Sequence, residues 1–225
     1  MLILGIDTSG KSGGVTLAEN AAGSFRVLGS SVIEGGTFSA QLIPTVARLL
    51  ERHNLRARDI GGFAVTSGPG SFTGLRVGLS AVKGLAEVLQ KPIVTVSLLE
   101  ALAALSPEDG LVIAALDAGR SEFFFGLYKV SRSRAECLRE QLFSEGEFLE
   151  EAGKPDIKLI MASDSAIAEI SGVAHKVNVV QRPDSGVIAK IGALKLLAGD
   201  KTSVESLDAN YLRRSDAEIF FKRSR

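Results

Sequence analysis

The 225-residue sequence contains one cysteine, no tryptophan and only two histidines, and these scarcities exclude several classes of function. Cys137 alone cannot build a disulfide framework, which suits a reducing compartment. No apolar stretch reaches the roughly 20 residues of a membrane helix. Asp7 ends the short apolar run that follows Met1, so no signal peptide is expected. We therefore expect a soluble, cytoplasmic protein.

An excess of charge of either sign is also missing, because 26 basic residues balance 26 acidic ones. The whole chain therefore has no evident affinity for nucleic acid or membranes, and the only local basic excess that we identify lies at the C-terminus.

His53 and His175 have no acidic or histidine neighbour at ligand spacing, so no metal site is predicted. Two histidines without a nucleophile elbow also give no Ser-His-Asp peptidase constellation.

The hydrophobic pattern predicts an α/β protein whose two halves repeat the same order of elements. Each half opens with an apolar strand that ends in aspartate, at Asp7 and Asp117. A hairpin pair follows, and then helices and strands alternate. The turn-forming residues 107–110 mark the predicted boundary, so we expect two domains, 1–108 and 109–225, each with a mixed sheet flanked by helices. The predicted helices cover 38–52, 71–89, 97–105, 145–152, 164–171 and 185–198.

The most informative stretch is the glycine-rich run 67–86, in which a short strand, a turn and a helix follow one another. Three glycines, Gly74, Gly78 and Gly84, lie inside the predicted helix, where each costs roughly 1 kcal/mol relative to alanine. The turn Gly68–Ser71 could present N–H groups to an anion at the helix N-terminus. Alternatively, the small residues could allow another helix to approach closely. The run is neither a Walker A loop nor a GxGxxG motif.

Two further features allow two interpretations each. Asp7 and Asp117 could position a metal or a water in a nucleotide-dependent enzyme, or they could form ordinary Asx turns. The helices at 38–52 and 71–89 have broad apolar faces, which suit either an internal core or a partner surface.

Four segments of the sequence resemble the bacterial TsaB (YeaZ) family. They are Ile3–Ser9, Ser67–Gly78, Ala81–Ala86 and Leu116–Arg120, and Tyr211–Arg213 is similar to the C-terminal signature of that family. The resemblance extends over nearly the whole chain. It implies the duplicated actin-like ATPase fold, also called ASKHA or ribonuclease H-like, which agrees with the repeated pattern of the two halves.

The resemblance also implies a function in tRNA modification. TsaB proteins support the synthesis of threonylcarbamoyladenosine next to the anticodon of tRNAs that read codons starting with A. They are non-catalytic partners of the transferase TsaD, with the ATPase TsaE as a third component, and they form homodimers when alone. The helices 38–52 and 71–89 would form the interface, for which we select Phe38, Leu42, Val46, Leu49, Gly74, Leu75, Gly78, Leu79 and Val82. The chain would reach tRNA through the complex and would not bind membranes.

Departures from the catalytic relative point away from enzyme activity. TsaD carries two metal-binding histidines where this chain has Leu98 and Leu102, and leucine cannot ligate a metal. The stretch 160–164 lacks the glycines of an adenosine loop. We therefore expect no catalytic residues, no metal and no cofactor. Gly68, Gly70, Ser71 and Asp7 would remain as a vestigial loop with weak nucleotide binding at most. The alternative is a nucleotide-dependent kinase or carbamoyltransferase of the same fold, with Asp7, Ser71 and Asp117 near the nucleotide.

Overall fold

The computed structural model describes residues 1–21, 23–132, 134–157, 159–163, 165–210 and 212. These residues form two compact units, one built from Met1–Leu98 and Pro183–Asn210 and the other from Leu99–Arg182. The predicted division into 1–108 and 109–225 differs from this arrangement. The physical reason is that helix 185–198 packs on the first sheet, so the chain returns to the first unit near its end. No helix of the described residues is long and apolar enough to cross a membrane.

The first unit is a five-stranded mixed sheet with helices on both faces. Its strands in chain order are β1 (Leu2–Asp7), β2 (Ser12–Ala21), β3 (Ser24–Glu34), β4 (Gly62–Gly68) and β5 (Ile93–Ser97). Their spatial order is β3-β2-β1-β4-β5, with β1, β4 and β5 parallel and the β1-β2-β3 meander antiparallel. Because both faces are covered, β4 is buried along its whole length.

Helices α1 (Phe38–Arg52) and α2 (Phe72–Leu89) cover one face of this sheet. The alternation of β1 sends Leu4 and Ile6 into the core beneath these helices, whereas Gly5 lies on the other face. A Cβ at Gly5 would collide with the backbone of α6 (Ser185–Ala198), the last helix of the described residues, whose N-cap is Asp184. Gly5 in β1 therefore allows α6 to lie directly on the sheet. Helix α3 (Leu98–Ala103) follows β5.

The second unit repeats the same plan. Its strands are β6 (Gly110–Gly119), β7 (Glu122–Ser131), β8 (Arg134–Ser144), β9 (Leu159–Ala162) and β10 (Val177–Val179), in the spatial order β10-β9-β6-β7-β8. Helices α4 (Glu145–Ala152) and α5 (Ser165–Ala168) and a short 3-10 helix, Ala174–Lys176, accompany these strands. Another short 3-10 helix, Ala57–Asp59, lies between α1 and β4 in the first unit. The core of the second unit is rich in phenylalanine, with the rings of Phe125 and Phe143 centred 4.6 Å apart.

The two meanders match at a constant offset of 110 residues, from 12 to 122, 24 to 134 and 34 to 144. Ser12 pairs with Glu34 as Glu122 pairs with Ser144, and both hairpins have a register shift at the same point, after Leu17 and after Leu127. A bulge is a specific backbone feature, so its recurrence at the same offset supports duplication. The protein has the duplicated actin-like fold that the sequence predicts.

Candidate functional site: the glycine helix and the outer faces of the first two helices

The glycine-rich run forms the end of β4, the turn Gly68–Ser71 and helix α2. Ser71 is the N-cap, and its side-chain oxygen accepts a hydrogen bond from the N–H of Gly74 at 3.2 Å. Such a cap satisfies one of the free N–H groups at the start of the helix. The N–H of Ser71 donates to the carbonyl of Ser9 at 2.8 Å, and the N–H of Asn210 donates to the carbonyl of Ser67. The N–H groups of Ser71 and Gly74 and the carbonyl of Ser67 are thus hydrogen-bonded within the protein itself.

Three glycines with a spacing of four residues, Gly70, Gly74 and Gly78, all contact the segment that follows β1. A Cβ at Gly70 would lie 2.7 Å from the Cβ of Ser9 and closer still to its carbonyl oxygen. A Cβ at Gly74 would collide with the carbonyl oxygen of Thr8, and one at Gly78 with its hydroxyl. Close packing therefore accounts for these glycines, and their neighbour is the loop after β1.

This packing corrects the predicted partner interface. Gly74, Leu75, Gly78, Leu79 and Val82 of α2 are buried in the first unit. Phe38, Leu42, Val46 and Leu49 of α1 are buried in the same core, with exposures of 1–5%. The sequence pattern identified the apolar face of each helix correctly, but this face contacts the sheet. Since every predicted interface residue is buried within the unit, none of them offers its side chain to a partner.

Beside its buried face, each helix carries a stripe of small and apolar residues that is at least partly exposed to solvent. The α1 stripe consists of Ala40, Ile43, Pro44 and Ala47, all exposed. The α2 stripe consists of Val77 and Ala81, which are half-buried and also pack against the core, and of Gly84 and Val88, which are exposed, Val88 to 81%. Both sets follow helical spacing, so each forms one continuous strip. The two helices also contact each other, which places both strips on the same side of the sheet.

Gly84 differs from the other glycines of this run. A Cβ added at Gly84 would meet no atom within 4 Å, and its backbone conformation is ordinary for a helix. Neither packing within the described chain nor backbone geometry therefore requires a glycine at this exposed position. Its cost in helix stability, roughly 1 kcal/mol, is unexplained by the described chain itself.

Asp7 and Asp117 both form Asx turns. The Asp7 carboxylate, 3% exposed, accepts hydrogen bonds from the N–H of Ser9 at 3.0 Å and from its hydroxyl at 2.6 Å. The carboxylate of Asp117 accepts from the N–H of Gly119 at 2.6 Å. The turn interpretation therefore accounts for both aspartates. Between Asp7 and Ser9, the hydroxyl of Thr8 is buried against Gly78 and has no hydrogen-bond partner among the described residues.

The positions that depart from the catalytic relative are structural. Leu98 is the first residue of α3 and Leu102 lies near its end, and both side chains are completely buried. Residues 160–162, in the stretch without glycines, belong to strand β9 and are buried. Asp164 and Tyr211–Arg213 lie outside the described residues except for Leu212. Over the described ranges, no group of three His, Cys, Asp or Glu side chains could hold a metal.

One charged feature escaped the sequence analysis. Arg48, Arg52, Arg56 and Arg58 are exposed and lie within eleven residues at the end of α1 and the 3-10 helix after it. The balanced charge of the whole chain hides this cluster. A charge count over the twelve residues 48–59 reveals it, since only Glu51 and Asp59 oppose the four arginines there.

Comparisons with known proteins agree with this geometry. The model of the family described as "TsaD: tRNA N6-adenosine threonylcarbamoyltransferase" matches residues 35–207. The tRNA threonylcarbamoyladenosine biosynthesis protein TsaB of Bacillus subtilis is 29% identical over 235 aligned positions, which cover 97% of this chain and 96% of that protein. The tRNA N6-adenosine threonylcarbamoyltransferase of Granulibacter bethesdensis is 34% identical, but the match covers 60% of this chain and 40% of the transferase.

The structure of YeaZ from Pseudomonas aeruginosa superposes with a TM-score of 0.73 at 22% identity. The match covers 93% of this chain and all of that one. At this level of identity the likeness shows a common fold. In sequence, the match to the Bacillus protein extends over both units of this chain. The sequence match to the Granulibacter transferase covers less than half of that enzyme.

Proposed function

Because the chain belongs to the TsaB (YeaZ) family, we propose that it is an accessory subunit in the synthesis of threonylcarbamoyladenosine on tRNA. In this proposal a TsaD-type transferase transfers the threonylcarbamoyl group to the adenosine beside the anticodon, on tRNAs that read codons starting with A. The chain binds that transferase, TsaE joins the pair, and tRNA is reached through the complex. The name of the Bacillus relative, a tRNA threonylcarbamoyladenosine biosynthesis protein, supports the assignment of the chain to this process.

The observation that carries the non-catalytic role is the leucine pair Leu98 and Leu102, at positions that the family resemblance matches to metal-binding histidines. Both side chains are fully buried and apolar. A metal needs nitrogen, oxygen or thiolate sulfur as ligands, and leucine supplies none of these. The substitution therefore replaces ligand chemistry by core packing at two positions.

The outer stripes of α1 and α2 are the surface that we assign to the transferase. An exposed apolar strip on a helix gains free energy when a second helix covers it. Gly84 in the α2 stripe has no neighbour to explain it, and a glycine there would let the backbone of a partner helix approach closely. We assign the homodimer of the isolated chain to the same surface, so that homodimer and heterodimer would exclude each other.

The alternative function, a nucleotide-dependent kinase or carbamoyltransferase, receives less support. The N–H of Ser71 and the carboxylate of Asp7 already bond to the loop after β1. A nucleotide at this turn would have to displace those bonds or find other donors. Binding of a nucleotide by the isolated chain is therefore expected to be weak, and calorimetry with ATP and magnesium measures it.

Co-purification with the host's TsaD-type transferase tests the proposed function. We expect a tagged chain to capture the transferase, and tRNA from a strain without this gene to lack threonylcarbamoyladenosine. Re-expression of the gene in that strain should restore the modification. Failure to capture the transferase, together with unchanged tRNA modification in the deletion strain, would show that the proposal is wrong.

A further inference from the structure

The four arginines at the end of α1 form a basic surface that neither the core nor the partner stripes use. Arg48 and Arg52 lie one helical turn apart on α1, and Arg56 and Arg58 follow in the next six residues. We call Arg48, Arg52, Arg56 and Arg58 the arginine cluster. All four side chains are exposed, in a chain whose total charge is zero.

The backbone of this region is held firmly, so the cluster has a defined position. Asn54 adopts a left-handed conformation, with φ of 54°, directly after the helix. The N–H of Leu55 donates to the carbonyl of Leu50 and that of Asn54 to the carbonyl of Glu51, which closes the helix end as in a Schellman motif. Leu55 also packs against the core of the first unit. Arg56 is therefore anchored beside the last turn of α1.

The nearby carboxylates do not neutralise the cluster. Asp59 accepts a hydrogen bond from the backbone N–H of Arg56 at 2.7 Å and thereby stabilises the short 3-10 helix. Over the residues that the structure describes, no carboxylate lies within ion-pair distance of any of the four guanidinium groups. Arg48 donates only to the hydroxyl of Thr45, at 2.9 Å.

We propose that the arginine cluster binds phosphate groups of the tRNA backbone. A guanidinium group is planar and offers paired donors that fit two oxygens of one phosphate. Four exposed cations within eleven residues attract a polyanion, which can neutralise several of them at once. Phosphate contacts of this kind position an RNA without reading its sequence. This inference rests on the proposed function, which supplies tRNA as the polyanion.

A triple variant, Arg52→Gln, Arg56→Gln and Arg58→Gln, tests the inference by titration with purified tRNA at several salt concentrations. We expect the affinity to fall about tenfold at low salt and the slope of log affinity against log salt to decrease by about 2 to 3. The control variant Lys129→Gln, Arg132→Gln and Arg134→Gln removes three exposed cations of the second unit. It should leave affinity and slope close to the wild-type values.

The titration is run with the chain alone and with the chain bound to its transferase, so that the two proposals can fail separately. Loss of transferase capture by the wild-type chain would contradict the proposed function and leave the chain-alone titration to decide this inference. Equal affinity and equal slope for the wild type and the triple variant overturn it, as does a wild-type chain that binds no tRNA in either form. A triple variant that loses transferase capture but keeps tRNA binding would assign the cluster to an acidic protein surface and also overturn it.

Discussion

At the scale of single residues, the glycines of the 67–86 run divide into two kinds. Gly70, Gly74 and Gly78 face the loop after β1, where a methyl group would overlap with Thr8 or Ser9. Gly84 faces open space. Packing in the folded chain requires the glycines that face this loop. No contact among the described residues requires a glycine at position 84. Their effects on stability should therefore have opposite signs.

We predict that Gly74→Ala lowers the free energy of unfolding by about 2 kcal/mol, because its Cβ would overlap with a backbone carbonyl that cannot rotate away. The matched control, Gly84→Ala, should raise the free energy of unfolding by roughly 1 kcal/mol through helix propensity alone. Denaturant unfolding followed by circular dichroism measures both. Equal stability of the two variants would contradict the division of the glycines.

The sequence could not decide which neighbour these glycines have. Small residues at a spacing of four predict a close approach, and the structure contains one. The neighbour is Thr8, however, which is distant in sequence and has no complementary pattern that a single sequence would reveal. For Asp7 the Asx turn was one of two open interpretations, and its carboxylate forms that turn with Ser9.

At the scale of elements, the bounds of α1, α4 and α6 are confirmed to the residue. The reasons are local: apolar spacing defines the buried face of α1, and α4 and α6 begin after Ser144 and Asp184, which are N-caps of the kind that starts a helix. The predicted helices 97–105 and 164–171 are shorter in the structure, as Leu98–Ala103 and Ser165–Ala168. Helix ends without strong caps are the least determined by sequence.

The orientation of α2 was the harder question for the sequence. Both sides of this helix carry small or apolar residues, so the pattern did not separate the face that contacts the sheet from the face that contacts solvent. The structure assigns Gly78 and Leu79 to the core and Gly84 and Val88 to the surface. The residues predicted for the interface lie on the buried faces of α1 and α2, and the assignment of a partner to these helices stays a prediction.

We predict that Gly84→Leu folds normally but weakens binding of the transferase at least tenfold, because a large side chain would separate two helices that approach at a glycine. The matched control is Lys83→Leu, which adds the same side chain at an exposed neighbour about 100° around the helix. Titration calorimetry with the transferase measures both affinities. If Gly84→Leu binds as tightly as Lys83→Leu, the α2 stripe is not the docking surface.

At the scale of the whole molecule, duplication is the feature that the sequence predicted best. The two halves share little residue identity, yet the order of strands and the closing aspartates gave the repeated plan. The structure adds a constant offset of 110 residues through both meanders, with register shifts at equivalent points. Physical constraints on strand order and turns thus preserve a fold when side chains diverge.

The division of the chain into units could not be predicted in the same way. Helix α6 is apolar on nearly all sides, so its sequence does not indicate which sheet it covers. Gly5, Gly62 and Gly192 provide the space by which α6 packs on the first sheet. These glycines are far apart in the chain, and only the folded structure brings them together.

Reconstitution of tRNA modification tests the central claim most directly. Purified chain, the TsaD-type transferase, TsaE and the threonylcarbamoyl adenylate are combined with unmodified tRNA, and threonylcarbamoyladenosine is measured by nucleoside analysis. We predict no product from the chain without the transferase, and product from the full mixture that falls strongly when the chain is omitted. Product from the chain without the transferase, or an equal yield from the mixture without the chain, would contradict the role of an accessory subunit.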